Sequence, residues 1–190
     1  MVGTSIPNTI GTIGKPNGSM VFYHDGFWWG VFRRTSDSDW TIWKKDADVW
    51  SDTGVELHDR GSDRPDAVID STRDRLWSLG RHSGTPELSS ATYAAGVWTI
   101  DVLRQHAVGI NGEENSSLAV AREWATPTVF AFEGESDSEI SFASSDDNGA
   151  TWSALSPIAD ASDGRTTDHA HVDSTDFRWM TVAVRVTMSL

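Results

Sequence analysis

The side chains able to hold a ligand or move a proton gather in three polar stretches. Asp59 to Asp66 reads DRGSDRPD, Asn111 to Ser116 reads NGEENS, and Asp163 to His171 reads DGRTTDHAH. From these and the residues just after the second come Asp63, Arg64, Asp66, Glu114, Arg122, Trp124, Asp168, His169 and His171. Brought face to face, they would hold a polar ligand. A guanidinium pairs with carboxylates, carboxylates accept from hydroxyls, and an indole offers a flat apolar face. His169 and His171 stand two apart, which puts both imidazoles on one face of a strand. With Asp168 or His58 they would begin a metal site, but no third ligand is in register, so neither a metal nor a cofactor is expected. Asp146-x-Asn148-Gly149 resembles half a calcium loop without the acidic residue that would close it. Trp28 and Trp29 are adjacent, so they point to opposite faces of a strand. One of them, or Trp124 beside its loop, is a candidate platform for a sugar ring.

The elements that would position these residues repeat along the chain. An apolar strand, a turn and a second strand recur four times. They run Met20 to Tyr23 then Phe27 to Phe32, Ala67 to Asp70 then Leu76 to Leu79, Leu118 to Ala121 then Thr128 to Phe132, and His171 to Asp173 then Arg178 to Val184. Asp70 to Arg75 and Asp173 to Arg178 share Asp-Ser-Thr-x-x-Arg. A third strand follows in three of the copies, at Trp40 to Trp43, Ser90 to Tyr93 and Ile140 to Ala143. A fourth opens near Trp50, Trp98 and Trp152. Four short strands per unit, about fifty residues per unit and a tryptophan at one place in each describe the blades of a β-propeller. The expectation is one all-β domain over 1–190, with blades at 19–60, 64–107, 116–160 and 166–190. The last blade holds only two strands. Residues 1–18, with weak alternation from Thr9 to Ile13, are expected to close the ring. Residues near 5–13 would pair with residues near 180–187, or a partner chain would take their place. An ordinary β-sandwich with similarly spaced strands is the alternative architecture.

Ser145, Asp147, Gly149, Thr151 and Trp152 form the pattern S-x-D-x-G-x-T-W. Asp, Asn and Gly between apolar segments mark a tight turn, because they tolerate left-handed backbone. The reading is a hairpin from Ile140–Ala143 into a strand starting at Thr151. The pattern resembles the Asp-box, or BNR repeat, of sialidases and related β-propellers, with every defining position present. Lys45 to Asp48 and Ala94 to Gly96 look like decayed copies. The resemblance implies a sialidase-like propeller of about four short antiparallel blades, with the box joining third and fourth strands on the rim. It says little about chemistry. Sialidase catalysis requires three arginines, a tyrosine–glutamate pair and an acidic residue. Tyr93 falls in an outer strand. Tyr23 has Glu123 or Glu114 as a possible partner, and Arg64, Arg122 and Arg165 have no spacing that makes them a triad. No catalytic residue is assigned.

Formal net charge is −13 and there is no cysteine. The acidic balance excludes nucleic acid and anionic membrane surfaces as partners. No apolar run is long enough to span a membrane as a helix, and the N-terminus lacks a signal-peptide pattern. The expected function is a non-catalytic recognition or assembly module directed at carbohydrate or a surface glycan. Its expected setting is extracellular or virion-associated, in a tail, a fibre or a cell-surface structure, with self-assembly or a larger virion as partner. A sialidase-type glycoside hydrolase and a purely structural virion subunit are the two alternatives.

Overall fold

A computed structural model of the chain describes residues 20–59, 65–106, 117–121, 128–135, 139–160, 166–176 and 179–187. These residues form strands and turns without a helix. The strands are β1 (Val21–His24), β2 (Phe27–Arg33), β3 (Trp40–Asp46) and β4 (Val49–His58), then β5 (Asp66–Asp70), β6 (Arg75–His82), β7 (Thr85–Ala94) and β8 (Val97–His106). They continue with β9 (Ser117–Ala121), β10 (Thr128–Glu135), β11 (Glu139–Ser145), β12 (Ser156–Asp160), β13 (Thr166–Asp176) and β14 (Trp179–Thr187). Pairing follows chain order. β1 to β4, β5 to β8 and β9 to β12 are each a four-stranded antiparallel meander, and β13 with β14 is a hairpin. The first strands of successive sheets lie side by side, β1 against β5, β5 against β9 and β9 against β13.

The second sheet explains why its sequence is apolar on both phases of the alternation. From Leu76 to Gly80 every residue is buried. Leu76 joins a core shared with Phe22, Trp29, Val31 and Leu57 of the first sheet. Its neighbour Trp77 joins Leu118, Val120 and Val129 of the third. A sheet packed on both faces loses the polar half of the period-two pattern. The aromatic payload is large. Trp29 and Trp98 meet edge-on at 5.6 Å, and Phe22 meets Trp98 at 6.0 Å. At 150–250 Å² each, burying one such ring contributes about 4–6 kcal/mol before ordering entropy is subtracted. Close approach also requires missing side chains: a Cβ on Gly80 would lie 2.8 Å from the fully buried His58 ring.

The turn over residues 145–152 is tied by its own side chains. Ser145 Oγ donates to Asp147 Oδ1 at 2.8 Å and accepts from the Gly149 amide at 2.7 Å. Asp147 takes the Thr151 amide at 2.8 Å and the Thr151 hydroxyl at 2.6 Å. Trp152 Nε1 donates to the Gly149 carbonyl at 3.0 Å. Asn148 and Gly149 are left-handed, at φ 62° and 87°, and a Cβ on Gly149 would strike Leu88 of the second sheet at 2.6 Å. The Thr151 hydroxyl, before any other group, holds the Asp147 carboxyl down at about 2.

Two expectations about turns change. The strand expected from Thr151 begins at Ser156 instead. Ser153 keeps the intervening segment beside β11 without a ladder, its amide donating to the Ser144 carbonyl and its hydroxyl accepting from the Ser144 amide. The supposed decayed copies are plain two-residue hairpins. Ala47 has φ 51°, and Ala95 and Gly96 have 52° and 86°, the backbone that matches strand twist. The expected closing segment, residues 1–18, lies outside the described residues.

Candidate functional site

Of the residues singled out from the sequence, Asp63, Arg64, Glu114, Arg122 and Trp124 lie outside the described residues. Asp66 is buried, and its carboxylate accepts the Ala67 amide at 3.0 Å and the Leu118 amide at 2.8 Å. It ties the first strand of the second sheet to that of the third, a structural task that sequence alone did not reveal. His169 and His171 pair with Arg185 and Ala183 in the β13–β14 ladder, while Asp168 falls at a register shift between Thr167 and His169. His58 does not join them as a metal ligand. It is fully buried, with Nε2 3.0 Å from Ser78 Oγ. Ser78 Oγ itself donates to the Asp66 carbonyl at 3.0 Å, so His58 donates and its ring is the neutral Nε2–H form. Burial first, then the Arg104 charge, brings its pKa down to about 3.

Beside the 59–66 stretch the structure assembles a cluster that the sequence reading missed. Arg104 has left-handed backbone in the middle of β8, at φ 49°. Its amide donates to Ser89 Oγ at 2.9 Å, and Ser89 Oγ donates across to the Leu57 carbonyl at 2.6 Å. That bulge aims the guanidinium between two carboxylates of the first sheet, Glu56 at 3.1 Å and Asp59 at 3.0 Å. Asp59 also meets His82 Nδ1 at 2.8 Å. Burial, then the Asp39 charge, raises the Glu56 pKa, and Arg104 opposes the rise. Ion pairs and a hydrogen bond thus join Glu56, Arg104, Asp59 and His82 across the first and second sheets at the end of β4. The missed signal was the Ser89–Arg104 pair, because a bulge cannot be read from a run such as Val-Leu-Arg-Gln.

The adjacent tryptophans separate as their alternation demands. Trp29 is buried in the core, donating Nε1 to the His24 carbonyl at 3.0 Å. Trp28 is 50% exposed on the opposite face. Tyr23, its cross-strand partner and 56% exposed, meets it with ring centroids 5.3 Å apart at 65°. Lys45 is the next residue in that cross-strand row. The result is a two-ring aromatic surface, and the Lys45 ammonium beyond it in the row is paired with Asp48 at 3.5 Å. The other tyrosine is engaged differently. Tyr93 donates its hydroxyl to Asp25 at 2.8 Å, and burial, then that bond, pushes its pKa up to about 12. That is the wrong direction for a phenolate nucleophile.

No family model matches the chain, and no curated protein matches it. Among solved structures it is similar to an exo-β-1,3-galactanase from Phanerochaete chrysosporium, determined as an E208A variant with β-1,3-galactotriose. Identity is 11% and the TM-score is 0.32, over 88% of this chain and 56% of that one. The chain thus spans little more than half of that enzyme, and likeness at this level carries neither fold nor activity across.

Proposed function

We propose that the chain is a non-catalytic glycan-recognition module built as a sialidase-like β-propeller. The propeller reading is supported by meanders that follow one another in chain order with their first strands side by side, and by the fully interlocked S-x-D-x-G-x-T-W turn. The exposed Tyr23–Trp28 pair carries the glycan reading. Pyranose rings present an apolar C–H face that stacks on a fixed aromatic surface, and an indole and a phenol ring also keep polar tips free to bond sugar hydroxyls. Among the described residues the geometry does not favour the hydrolase alternative, since Tyr93 is tied to Asp25 and Tyr23 meets Trp28 edge-on. The surface or virion setting rests on the family resemblance, and the same assay addresses it by including bacterial and archaeal surface sugars.

The test is a glycan array followed by titration of the best hit. Trp28→Ala and Tyr23→Ala are each expected to weaken binding about tenfold or more, with the melting temperature close to that of the parent. A blank array, or a Trp28→Ala protein that binds normally but changes its state of association, overturns the reading.

A further inference from the structure

A cleft of about 410 Å³ opens beside the 145–152 turn, lined by Thr128, Ser144, Asp146, Thr151, Trp152 and Ser153. Its volume falls in the range of small-ligand sites. The side chains divide into two sets. Trp152, Thr151 and Ser153 are held by the turn: the indole N–H on the Gly149 carbonyl, the Thr151 hydroxyl on Asp147, and the Ser153 hydroxyl on the Ala154 carbonyl and the Ser144 amide. Asp146, Ser144 and Thr128 have no side-chain partner among the described residues. Thr128 is nonetheless 94% removed from solvent. Adjacent aspartates therefore do different work. Both oxygens of Asp147 close the turn, whereas the carboxylate of Asp146 is left facing outward.

We propose that this cleft is a second binding site, for a neutral polyhydroxylated ligand such as a hexose unit of a glycan. A carboxylate accepts from two vicinal hydroxyls, and neighbouring serine and threonine hydroxyls both donate and accept. The indole is already fixed by its own hydrogen bond, so little side-chain freedom is lost on stacking. The Asp146 carboxylate, without a partner among the described residues and on a chain of net charge −13, selects against anionic sugars. The site stands on the third sheet and on its own geometry. It therefore does not depend on the Tyr23–Trp28 surface of the first sheet, and Trp28→Ala leaves it intact.

The experiment follows indole N–H signals of the labelled full chain by NMR, with the Trp152 signal identified by its loss in Trp152→Phe. The probes are methyl β-galactoside, methyl α-glucoside, methyl α-mannoside, N-acetylneuraminic acid and calcium chloride alone. A neutral hexoside is expected to shift the Trp152 signal saturably, with a dissociation constant on the order of millimolar for one sugar unit. Asp146→Ala is expected to weaken this about tenfold and Thr128→Val several-fold. N-acetylneuraminic acid is expected to bind more weakly than the neutral probes. Absence of a saturable shift with every neutral probe overturns the site. So does a shift unchanged in Asp146→Ala, or a shift caused by calcium and by no hexoside.

Discussion

His58 shows how one buried side chain couples this fold to pH. Its ring is sealed between Ser78 and Gly80, Nε2 is engaged, and Nδ1 faces no partner. Protonating it would place a charge in the core near Arg104, which is why its pKa falls from 6.5 to about 3. The sign of the consequence is fixed by which state binds the proton first. Below about 6.5 the unfolded chain takes it up and the folded chain does not, so stability is full above that pH and declines as pH drops towards 3. Each unit in that window costs up to ~1.4 kcal/mol. Urea unfolding at several pH values across the upper part of that window should show this decline. His58→Gln, less stable at neutral pH because a packed site is disturbed, should show a shallower slope over the same range. Equal slopes in the two proteins would remove His58 as the titrating group.

At the scale of elements, the 145–152 turn illustrates what the sequence can and cannot convey. Its five defining residues were legible because each type has a task in the turn: a hydroxyl and a carboxylate to take amides, a glycine for φ 87°, an indole to cap the glycine carbonyl. Asp147→Ala removes the acceptor of three of these bonds and should loosen the turn and lower the melting temperature. Hydrogen exchange should quicken at the Gly149 and Thr151 amides while β5–β8 stays protected. Unchanged exchange at Thr151 would contradict the lock. Strand positions were equally legible, because period-two alternation and turn residues act locally. The start of β12 was not, since Ser153 diverts the Ser144 backbone groups and the composition of Thr-Trp-Ser-Ala-Leu does not encode that diversion. The candidate site was legible only in part. Alternation separated Trp28 from Trp29, whereas the Glu56–Arg104–Asp59–His82 chain depends on a bulge and on two sheets meeting. Asp66 looked like a ligand-binding group because its carboxylate's true partner, the Leu118 amide, lies 52 positions away.

For the whole molecule, the tryptophan register poses the question of closure. Trp98 near the start of β8 packs on Trp29 of the preceding sheet, and Trp152 ahead of β12 packs on the core that the second and third sheets share. Trp50 holds the equivalent place in β4. It clusters with Phe32 and Trp43 on the face of the first sheet that the second does not cover, with ring centroids 5.1 Å from Phe32. All three rings are nonetheless buried, at 8% exposure or less. That face also carries the Tyr23–Trp28 pair, in one cross-strand row with Trp50, so in a closed ring a preceding sheet would cover the Phe32–Trp43–Trp50 end, and the glycan reading requires the pair to stay uncovered. At the other end of the series, β14 pairs with β13 alone among the described residues. An unpaired strand edge rich in valine is a template for further pairing. The closure expected from the sequence would answer both needs: residues near 5–13 would pair with residues near 180–187, or a neighbouring subunit would supply that strand. Deleting residues 1–14 should then lower stability well beyond the ~0.5 kcal/mol of an ordinary surface change, and promote association through the exposed edge. Calorimetry and light scattering on the truncated and full chains decide it. A truncated protein that remains monomeric with an unchanged melting temperature rules out both forms of closure, whereas one that is destabilised but regains its melting temperature at high concentration points to the neighbouring subunit.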